Sequence, residues 1–551
     1  MRRLLLVAAL VGGAAAPPAA QTVETGDGAF TALPPGARNG VSVLDAQGGT
    51  LRAGPQLVAI GPDGAVRFPG DDPAFDPPTA AAARAFAIEA EGAFVIVALG
   101  FSDFTSGDDV PPSTAAGFAV STDGGQSWVS RGPALDQSTD TTVTVGASTL
   151  RAAPATVAQN AATFDLALTP GADTIYAAST LAGLRRSTDA GATWRPIVLP
   201  PDSAFVLDPR EPQSFVYASD PRRPISDGQG GEVFPPESLN NIPFSVLVDE
   251  AGTVWVGTAG GLNRSVRLEG VDDLAWIRYV DDPLGGGPVG NSVSALAARP
   301  DPDGRDDVWI AAQAPLDNSS PEEENGISVW RGDDAEGFAV FETVLLGVRV
   351  NDIAFDEERA YAAAFEEGLY VSDDDGATWR VVREFRDADG RRLPTGGPLR
   401  RAYRVLSVAT TPGAVWVGTS GGLLKSTDGA QTWTLFRASV APGTDVDGEP
   451  AEDGTARDVD VYAYPNPFAP RSDRAVRIRL DLDGASDLTV RVFDFAMNLV
   501  RTLDAPGRPA GPNEVRWDGR TDGGLRVANG AYIYVVEGAG AERSGRILVI
   551  E

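Results

Sequence analysis

The most informative stretch of the sequence is VWVGTSGGLLKSTDGAQTW, residues 415–433, because versions of it recur along the chain. An apolar run leads into a Gly-Leu turn, and a second run ends in Ser-x-Asp followed shortly by Trp. Related copies are VWVGTAGGLNRS (254–265), IYAASTLAGLRRSTDAGATW (175–194) and AYAAAFEEGLYVSDDDGATW (360–379). Short apolar runs joined by tight turns are typical of β-hairpins, so the phrase predicts a repeated hairpin unit.

The end of the phrase is an octapeptide whose residue types suit a tight turn. The four clear copies are STDGGQSW (121–128), STDAGATW (187–194), SDDDGATW (372–379) and STDGAQTW (426–433). The Asp side chain can accept hydrogen bonds from the backbone ahead of it, and the Gly two residues later tolerates positive φ. The Trp can bury a large apolar area over the sheet. Ala430 replaces that Gly in the last copy, which predicts a looser turn there. The predicted structural residues are Ser121, Asp123, Gly125, Trp128, Ser187, Asp189, Gly191, Trp194, Ser372, Asp374, Gly376, Trp379, Ser426, Asp428 and Trp433.

These octapeptides resemble the Asp-box, or BNR, repeat of sialidases, xyloglucanases and many non-enzymatic β-propellers. The VWVGT phrase resembles the propeller repeats of bacterial two-component regulators. Both resemblances imply an all-β fold whose blades are four-stranded antiparallel sheets. We predict seven blades, with eight as the alternative count, since two of the candidate units are weaker. The candidates lie near residues 55–67, 94–131, 163–198, 204–219, 244–280, 292–343, 350–385 and 405–436.

The C-terminal part of the chain has a different pattern. Residues 441–458 are rich in Gly, Pro and acid, as in a linker, and residues 459–551 alternate with period two, as in a small β-sandwich. The order YPNPF (464–468), DLTVRVFDFAMNLVRTL (487–503) and GPNEVRWDGRTDGGLRVANGAYIYVV (511–536) is similar to the FlgD-type immunoglobulin-like (Ig-like) fold. At the end of an exported chain it resembles a type IX secretion sorting domain, which implies the type IX machinery as a partner. Met497 and Asn498 stand where that family has a turn Gly.

The N-terminus predicts export. Arg2 and Arg3 precede the apolar run LLLVAALV and a small-residue tail, which is the pattern of a signal peptide over residues 1–20. The run is too short to span a bilayer, and no transmembrane segment is predicted further along. The predicted domains are the signal peptide (1–20), the propeller (21–440), the linker (441–458) and the sorting domain (459–551). The predicted location is the outer cell surface or the medium.

The amino-acid composition restricts the catalytic and binding chemistry that the chain could perform. The chain has no Cys and no His, which removes disulfides, thiolate chemistry and the usual general base. Its net charge of −31 argues against nucleic acid as a partner. Four Asp-x-Asp-Gly pieces have the spacing of calcium loops but lack the rest of that pattern, so we predict turns and no cofactor, with Ca²⁺ as the open alternative. They are DPDG (301–304), DADG (387–390), DVDG (445–448) and DLDG (481–484).

No catalytic residue is predicted. The sialidases that the octapeptides resemble use three Arg, a Tyr–Glu pair and an Asp, and their Arg-Ile-Pro signature is missing before the first octapeptide. The tyrosines of the repeat region sit mainly inside apolar runs, as core residues do: Tyr176, Tyr217, Tyr361 and Tyr370. The favoured function is a non-catalytic propeller that binds an extracellular glycan or protein. The alternatives are a secreted BNR-type glycoside hydrolase, sialidase-like or xyloglucanase-like, and a sensor-like propeller detached from any kinase. We expect Asp123→Ala to loosen a blade and abolish no reaction.

Overall fold

The fold is taken from a computed structural model of the chain. The structure describes residues 43–47, 50–54, 58–60, 66–67, 84–102, 113–125, 127–159, 161–218, 225–226, 232–233, 238–282, 286–300, 306–314, 323–357, 359–365, 367–393, 405–419, 422–436, 461–464, 466, 468–470, 475–482, 484–494, 498–538 and 541–550. The predicted signal peptide (1–20) and linker (441–458) lie outside these residues.

Seven antiparallel sheets follow one another along residues 43–436 and close into a ring. We call them blades 1 to 7 and label the strands of each blade a to d in chain order. Given in the order a to d, the strands of blade 1 are Val43–Gln47, Thr50–Gly54, Val58–Ile60 and Val66–Arg67; those of blade 2 are Arg84–Glu91, Phe94–Ser102, Ser113–Ser121 and Val129–Arg131; and those of blade 3 are Thr163–Leu168, Ile175–Ser179, Gly183–Ser187 and Arg195–Ile197. The strands of blade 4 are Pro243–Val248, Val254–Thr258, Gly261–Val266 and Ala275–Tyr279, and those of blade 5 are Ser292–Pro300, Asp306–Gln313, Gly326–Asp333 and Ala339–Leu346. The strands of blade 6 are Val350–Phe355, Ala360–Ala364, Gly368–Ser372 and Arg380–Val382, and those of blade 7 are Val405–Thr411, Ala414–Thr419, Gly422–Ser426 and Thr434–Phe436.

The ring is formed by the first strands of the blades. Each strand a packs beside strand a of the next blade, and strand a of blade 7 packs beside strand a of blade 1. The chain is therefore a seven-bladed β-propeller, as the repeat predicts, followed by an Ig-like sandwich. Residues 204–219, a candidate blade in the sequence, form no blade. Val206–Leu207 adds a fifth, outer strand to blade 4, and Val216–Ala218 pairs elsewhere, because these runs are too short to build a sheet alone.

Neighbouring blades share hydrophobic cores, and this explains why strand b reads as a continuous apolar run. In blade 5, Trp309 and Ala311 pack against blade 6, whereas Val308 and Ile310 pack against blade 4. Both faces of the strand are thus buried, which alternation with polar residues would prevent. Gly257 of the VWVGT phrase lies at such a seam. A Cβ there would come within 2.4 Å of Val293 in the next blade, so the close approach requires glycine.

Two long connections form an accessory sheet at the edge of the propeller. The hairpin Thr142–Val145 and Ser148–Ala153 joins strand Val216–Ala218 in parallel. Its apolar side chains belong to the same core as Tyr176 of blade 3 and Trp276 of blade 4. The sheet therefore wedges between the outer parts of these two blades. A two-stranded ribbon (Ile225–Ser226, Glu232–Val233) and a 3₁₀ turn (Leu239–Asn241) complete this region.

The C-terminal domain is a sandwich of two antiparallel sheets. In sheet order, one contains Val461–Tyr464, Val476–Leu482 and Gly511–Trp517, and the other contains Leu499–Arg508, Ser486–Phe493, Gly530–Gly538 and Ala541–Val549. Strand Ser486–Phe493 alternates between buried and partly exposed residues, since one face meets the core and the other meets water. Trp517, Phe468 and Tyr534 are almost fully buried at the centre of that core.

Candidate functional site

The four octapeptides fold into the same hydrogen-bonded turn. In each copy the Ser hydroxyl donates to Oδ1 of the Asp, at 2.7 to 2.9 Å. The Ser or Thr before the Trp donates its backbone N–H to Oδ1 and its hydroxyl to Oδ2 of the same Asp, the latter at 2.6 Å in every copy. The Asp thus closes the turn with both oxygens.

These bonds favour the ionised carboxylate. The bonds from Thr193 lower the pKa of Asp189 to about 2. Burial opposes ionisation of Asp428, but the bonds from Thr432 outweigh it and lower that pKa to about 2. The bonds from Thr378 lower the pKa of Asp374 in the same way. The carboxylates are committed to the turn, so they are poor candidates for acid–base chemistry near neutral pH.

The prediction of a looser last turn is wrong. Ala430 adopts φ 64° and its N–H still bonds to Ser426 Oγ at 3.0 Å, as Gly191 does with Ser187. Its methyl group lies in the core shared by blades 6 and 7, and this packing offsets the strain of positive φ in a residue with a Cβ. The turn also uses positive φ at the preceding residue, which the sequence pattern had not indicated. The preceding residues are Gly124, Ala190, Asp375 and Gly429.

The tryptophans of three octapeptides contact the blade before their own or the segment that leaves it. Trp194 of blade 3 stacks on Phe118 of blade 2, with ring centroids 4.7 Å apart. Trp379 of blade 6 donates from Nε1 to the carbonyl of Val344 in blade 5, at 2.8 Å. Trp433 of blade 7 meets Phe385, just after blade 6, edge to face. These turns therefore lie at the seams between blades.

Two of the seams that have no octapeptide are closed by other contacts. Between blades 4 and 5, Arg264 pairs with Asp333 at 2.7 Å and its guanidinium lies 4.7 Å from the centre of the Trp330 ring. Between blades 3 and 4, the accessory sheet packs into the seam instead of an octapeptide. The N–H of its residue Gly146 donates to Asp273 of blade 4 at 2.7 Å.

The two ends of the propeller differ in their connections. Because the strands of a blade alternate in direction, the a–b and c–d connections emerge at one end, which we call the turn face. The longest of them covers residues 267–274, and all four octapeptides lie there. The other end, the loop face, carries the b–c connections and the links between blades. The connections that exceed any on the turn face start and end at the loop face, and among the described residues they include 286–291 and 323–325; parts of 132–159 and 198–218 continue into the accessory sheet at the edge. Binding residues are concentrated on such loops, so the loop face is the candidate functional surface.

One Tyr–Glu pair lies on the loop face. The Tyr370 hydroxyl donates to Glu367 Oε2 at 2.8 Å, at the b–c turn of blade 6. Burial and the Glu367 carboxylate raise the pKa of Tyr370, and Arg383 acts in the opposite direction. A raised pKa keeps the hydroxyl protonated, which is the wrong direction for a nucleophile.

Two half-buried carboxyl groups near the axis were missed by the sequence analysis. Asp165 and Asp352 lie in strand a of blades 3 and 6, each directly after a β-bulge. Each accepts an N–H from its own strand and one from strand a of the next blade: Val246 donates to Asp165 at 2.8 Å, and Val408 to Asp352 at 2.9 Å. Burial raises the pKa of each to about 7. An acidic residue inside an apolar run, as in TFDLAL and VNDIAF, was the available signal.

No metal centre is formed within the described part of the chain: no three acidic side chains there converge as ligands. The DADG piece is a turn whose Asp387 Oδ1 accepts the N–H groups of Asp389 and Arg391. The pieces at 301–304 and 445–448 lie outside the described residues. Among those that are described, no helix has the length and apolarity needed to cross a bilayer.

In the C-terminal domain, the YPNPF segment holds the last strand. Asn466 donates from Nδ2 to the carbonyl of Arg546 at 2.9 Å and accepts the N–H of Leu548 at 2.7 Å. The backbone of Phe468 continues this pairing with Leu548 and Ile550, and its ring is fully buried. The segment thus covers an otherwise open sheet edge. The turn that lacks the family's Gly is closed by Asp494, which accepts the N–H of Asn498.

Comparisons with known proteins match both parts of the chain. The FlgD Ig-like domain family matches residues 470–542. PorZ of Porphyromonas gingivalis, described as an essential surface component of its type IX secretion system, aligns over 92% of this chain and 75% of its own, at 14% identity and TM-score 0.25. YCF48 from Cyanidioschyzon merolae aligns over 72% of this chain and 98% of its own, at 14% identity and TM-score 0.40. The GH74 xyloglucanase of Xanthomonas campestris aligns over 82% of this chain and 59% of its own, at 14% identity and TM-score 0.44. No curated protein matches the chain.

Proposed function

We propose that this chain is a non-catalytic β-propeller that binds an extracellular glycan or protein on its loop face. Residues 1–20 serve as a signal peptide, residues 21–440 as the propeller and residues 441–458 as a linker. Residues 459–551 serve as the sorting domain that takes the protein through a type IX route to the cell surface or the medium. The type IX machinery is the partner of this last domain.

The observation that carries the binding role is the asymmetry of the propeller. The turn face is occupied by short turns whose polar groups bond to each other, whereas the longer connections start and end on the loop face. The octapeptides act as Asp-box joints in this proposal. Their Ser, Asp and Trp side chains are used within the turn or across a seam, which leaves little to offer a ligand. Calcium is not required by any described turn.

The binding role is tested on the full chain with a glycan array that includes sialosides and xyloglucan oligosaccharides. A charge reversal on the loop face, Glu324→Arg in the b–c connection of blade 5, is compared with Asp173→Arg on the turn face; both residues are exposed. We expect the first to weaken binding and the second to leave it unchanged. Equal loss in both variants, or no effect of any loop-face change, would contradict the assignment of the face.

The export role is tested by deleting residues 461–551 in a bacterium that has a type IX system. The truncated chain is expected to stay in the periplasm, whereas the full chain reaches the surface or medium. Equal export of both would overturn the sorting role. It would leave the binding role standing, because the array uses purified protein.

A secreted BNR-type glycoside hydrolase is the second candidate: the hydrogen bond between Tyr370 and Glu367 favours it, whereas the raised pKa of Tyr370 opposes it. Fluorogenic sialosides and xyloglucan are the substrates to assay. Under the binding proposal neither is turned over. Turnover that Tyr370→Phe abolishes while folding is retained would establish the hydrolase and refute the non-catalytic reading.

A further inference from the structure

The loop face carries a cluster of amide and guanidinium side chains where blade 5 meets blade 6. Gln313 ends strand b of blade 5, Arg349 lies in the link to blade 6, and Asn351 is the second residue of the next strand a. Arg349 donates from Nη2 to Gln313 Oε1 at 2.7 Å. Gln313 donates from Nε2 to the carbonyl of Val350 at 3.2 Å and to Asn351 Oδ1 at 3.4 Å. We call Gln313, Arg349 and Asn351 the seam cluster.

The three side chains of the seam cluster differ in their exposure. Gln313 is only 5% exposed, whereas Arg349 and Asn351 are partly exposed at the surface. Within the described part of the chain, the side chain of Asn351 makes a single hydrogen bond, which its Oδ1 accepts from Gln313. The Nδ2 atom of Asn351 therefore retains two N–H donors. A buried side chain thus orients two partly exposed ones, as in sites that are formed before the ligand binds.

The corresponding place in blade 4 shows a network with a purely structural role. Thr258 ends strand b there, as Gln313 does in blade 5. The side-chain amides of Asn240 and Asn263 exchange two hydrogen bonds, at 2.8 and 2.7 Å, and the Thr258 hydroxyl lies 2.8 Å from Asn240 Oδ1. All three side chains are buried. These polar groups satisfy each other inside the protein, whereas the seam cluster reaches the surface.

Acidic residues lie close to the seam cluster. The described end of the b–c connection of blade 5 contains Glu323, Glu324 and Asn325. The carbonyl of Asn325 accepts the N–H of Gly347, in the link that carries Arg349, at 2.7 Å. The two glutamates therefore belong to the same part of the loop face as Arg349. Together with the net charge of −31 of the whole chain, they disfavour an anionic ligand at this place.

The chemistry of the seam cluster suits the hydroxyl groups of a sugar. Guanidinium and amide nitrogens donate hydrogen bonds and amide oxygens accept them, so the cluster matches groups that can do both. A sugar hydroxyl donates and accepts without carrying a charge. Protein partners bury aromatic or apolar anchors at the centre of an interface, and the three side chains of the cluster are polar. The cluster therefore favours a neutral saccharide over a protein.

We propose that the seam cluster is the glycan subsite of the loop face and takes a neutral saccharide with neighbouring free hydroxyl groups. Arg349 and Asn351 contact the sugar, and Gln313 is a positioning residue that holds both of them. The inference rests on the proposed function. It narrows that function from a glycan or protein ligand to a neutral glycan at a stated place.

Isothermal titration calorimetry on the full chain tests the class of ligand. The neutral probes are xyloglucan heptasaccharide, cellotetraose and mannotetraose, and the acidic probes are sialyllactose and trigalacturonate. We expect at least one neutral probe to bind, and to bind more tightly than either acidic probe. An acidic probe that binds as tightly or more tightly would overturn the proposal. Binding of no probe would also overturn it and would leave a protein as the ligand of the loop face.

Variants test the contact residues with the neutral probe that binds most tightly. Asn351→Asp keeps the acceptor for Gln313 and removes the two N–H donors, so the affinity should fall about tenfold. Ser294→Ala is the matched control, since the Ser294 hydroxyl donates within the same seam, to the carbonyl of Val350 at 3.1 Å. The control should leave the affinity unchanged. Unchanged affinity in Asn351→Asp, or an equal loss in the control, would overturn the subsite.

The positioning role of Gln313 is tested by a conservative replacement. Gln313→Ala releases the guanidinium of Arg349 and should weaken binding, whereas Gln313→Glu retains the acceptor and should restore most of the affinity. Equal loss in the two variants would refute this role. Arg349→Lys keeps the charge and loses the planar fork of donors, so it should also weaken binding, and it gives a second reading if a Gln313 variant fails to fold.

Glu324→Arg separates this inference from the proposed function. Weaker binding in Glu324→Arg with unchanged binding in Asn351→Asp would retain the loop face as the binding surface and refute the seam cluster as the subsite. Unchanged binding in both variants would refute the two together.

Discussion

The indole of Trp194 in blade 3 stacks on the ring of Phe118 in blade 2, with centroids 4.7 Å apart and planes inclined by 30°. Gly191 of the same turn lies near Ile96 and Val120 of blade 2. The octapeptide therefore joins two blades as well as closing a hairpin. This position explains why its residues recur without lying together at one site.

Removing this stacking should weaken the ring. We expect Trp194→Ala to lower the free energy of unfolding by about 2–4 kcal/mol, somewhat less than for a fully buried Trp, because the indole is only partly buried. Trp194→Phe keeps much of the aromatic contact and should cost less. Urea unfolding monitored by circular dichroism gives both values. Equal losses for Ala and Phe would show that the stacking itself contributes nothing.

The Asp of the octapeptide should matter for stability and not for binding. Asp189→Ala removes the acceptor of the Ser187 and Thr193 donors, and we expect the free energy of unfolding to fall by about 1 kcal/mol, because the Thr193 bonds are exposed to water. Asp173→Ala, in a neighbouring exposed turn, is the control, and its change in the free energy of unfolding should be near zero. The same reasoning applies to Asp123→Ala in blade 2. Lost ligand binding with unchanged unfolding would contradict the structural role.

The octapeptide carboxylates also predict how the protein responds to acid. Their folded pKa of about 2, for Asp189 and Asp428, lies below the ordinary 3.8. The stabilisation is present above the ordinary value and is lost as the pH falls towards 2. Melting temperatures of the native protein should therefore fall over this range, and those of Asp189→Asn should fall less steeply. If the melting temperatures of the two proteins fell in parallel with pH, the lowered pKa assigned to Asp189 would be contradicted.

The ion pair between blades 4 and 5 predicts a measurable coupling. Arg264 and Asp333 are only partly exposed, and the guanidinium also lies over the Trp330 ring. A double-mutant cycle with Arg264→Met and Asp333→Asn should give a coupling of about 1 kcal/mol that declines with added salt. Since methionine can retain the apolar contact with the ring, the cycle reports the charge pair. A coupling near zero at low salt would show that this ion pair does not stabilise the seam.

In the C-terminal domain, Asn466→Ala should free the last strand. The variant loses two hydrogen bonds to the backbone of Arg546 and Leu548. We expect faster amide exchange in residues 541–549 of the full chain and earlier proteolysis there, while the propeller is unaffected. Asn498→Ala is a useful comparison, because that side chain bonds only to Asp494 in a turn. Unchanged exchange in the last strand would show that the Asn466 clamp is dispensable.

The repeating unit could be predicted from the sequence without the structure. The spacing of the VWVGT run, the Gly-Leu turn and the Trp-ended octapeptide is local, and each turn closes with atoms a few residues apart, as between Ser187 and Asp189. Period-two alternation likewise indicated the C-terminal sandwich. Such signals are readable because hydrogen bonds within a turn depend only on neighbouring residues.

How the units meet could be read from the folded structure alone. The pairing of Val206–Leu207 with blade 4, the inter-blade contact of Trp194 and the hydrogen bond from Val246 to Asp165 each depend on residues distant in the chain. Asp165 illustrates the reason. Its sequence neighbours show an acid in an apolar run, but its pKa depends on the partial burial of its side chain in the ring and on a backbone N–H in the next blade. Burial and partners across a seam arise from the closure of the ring, and no local pattern encodes them.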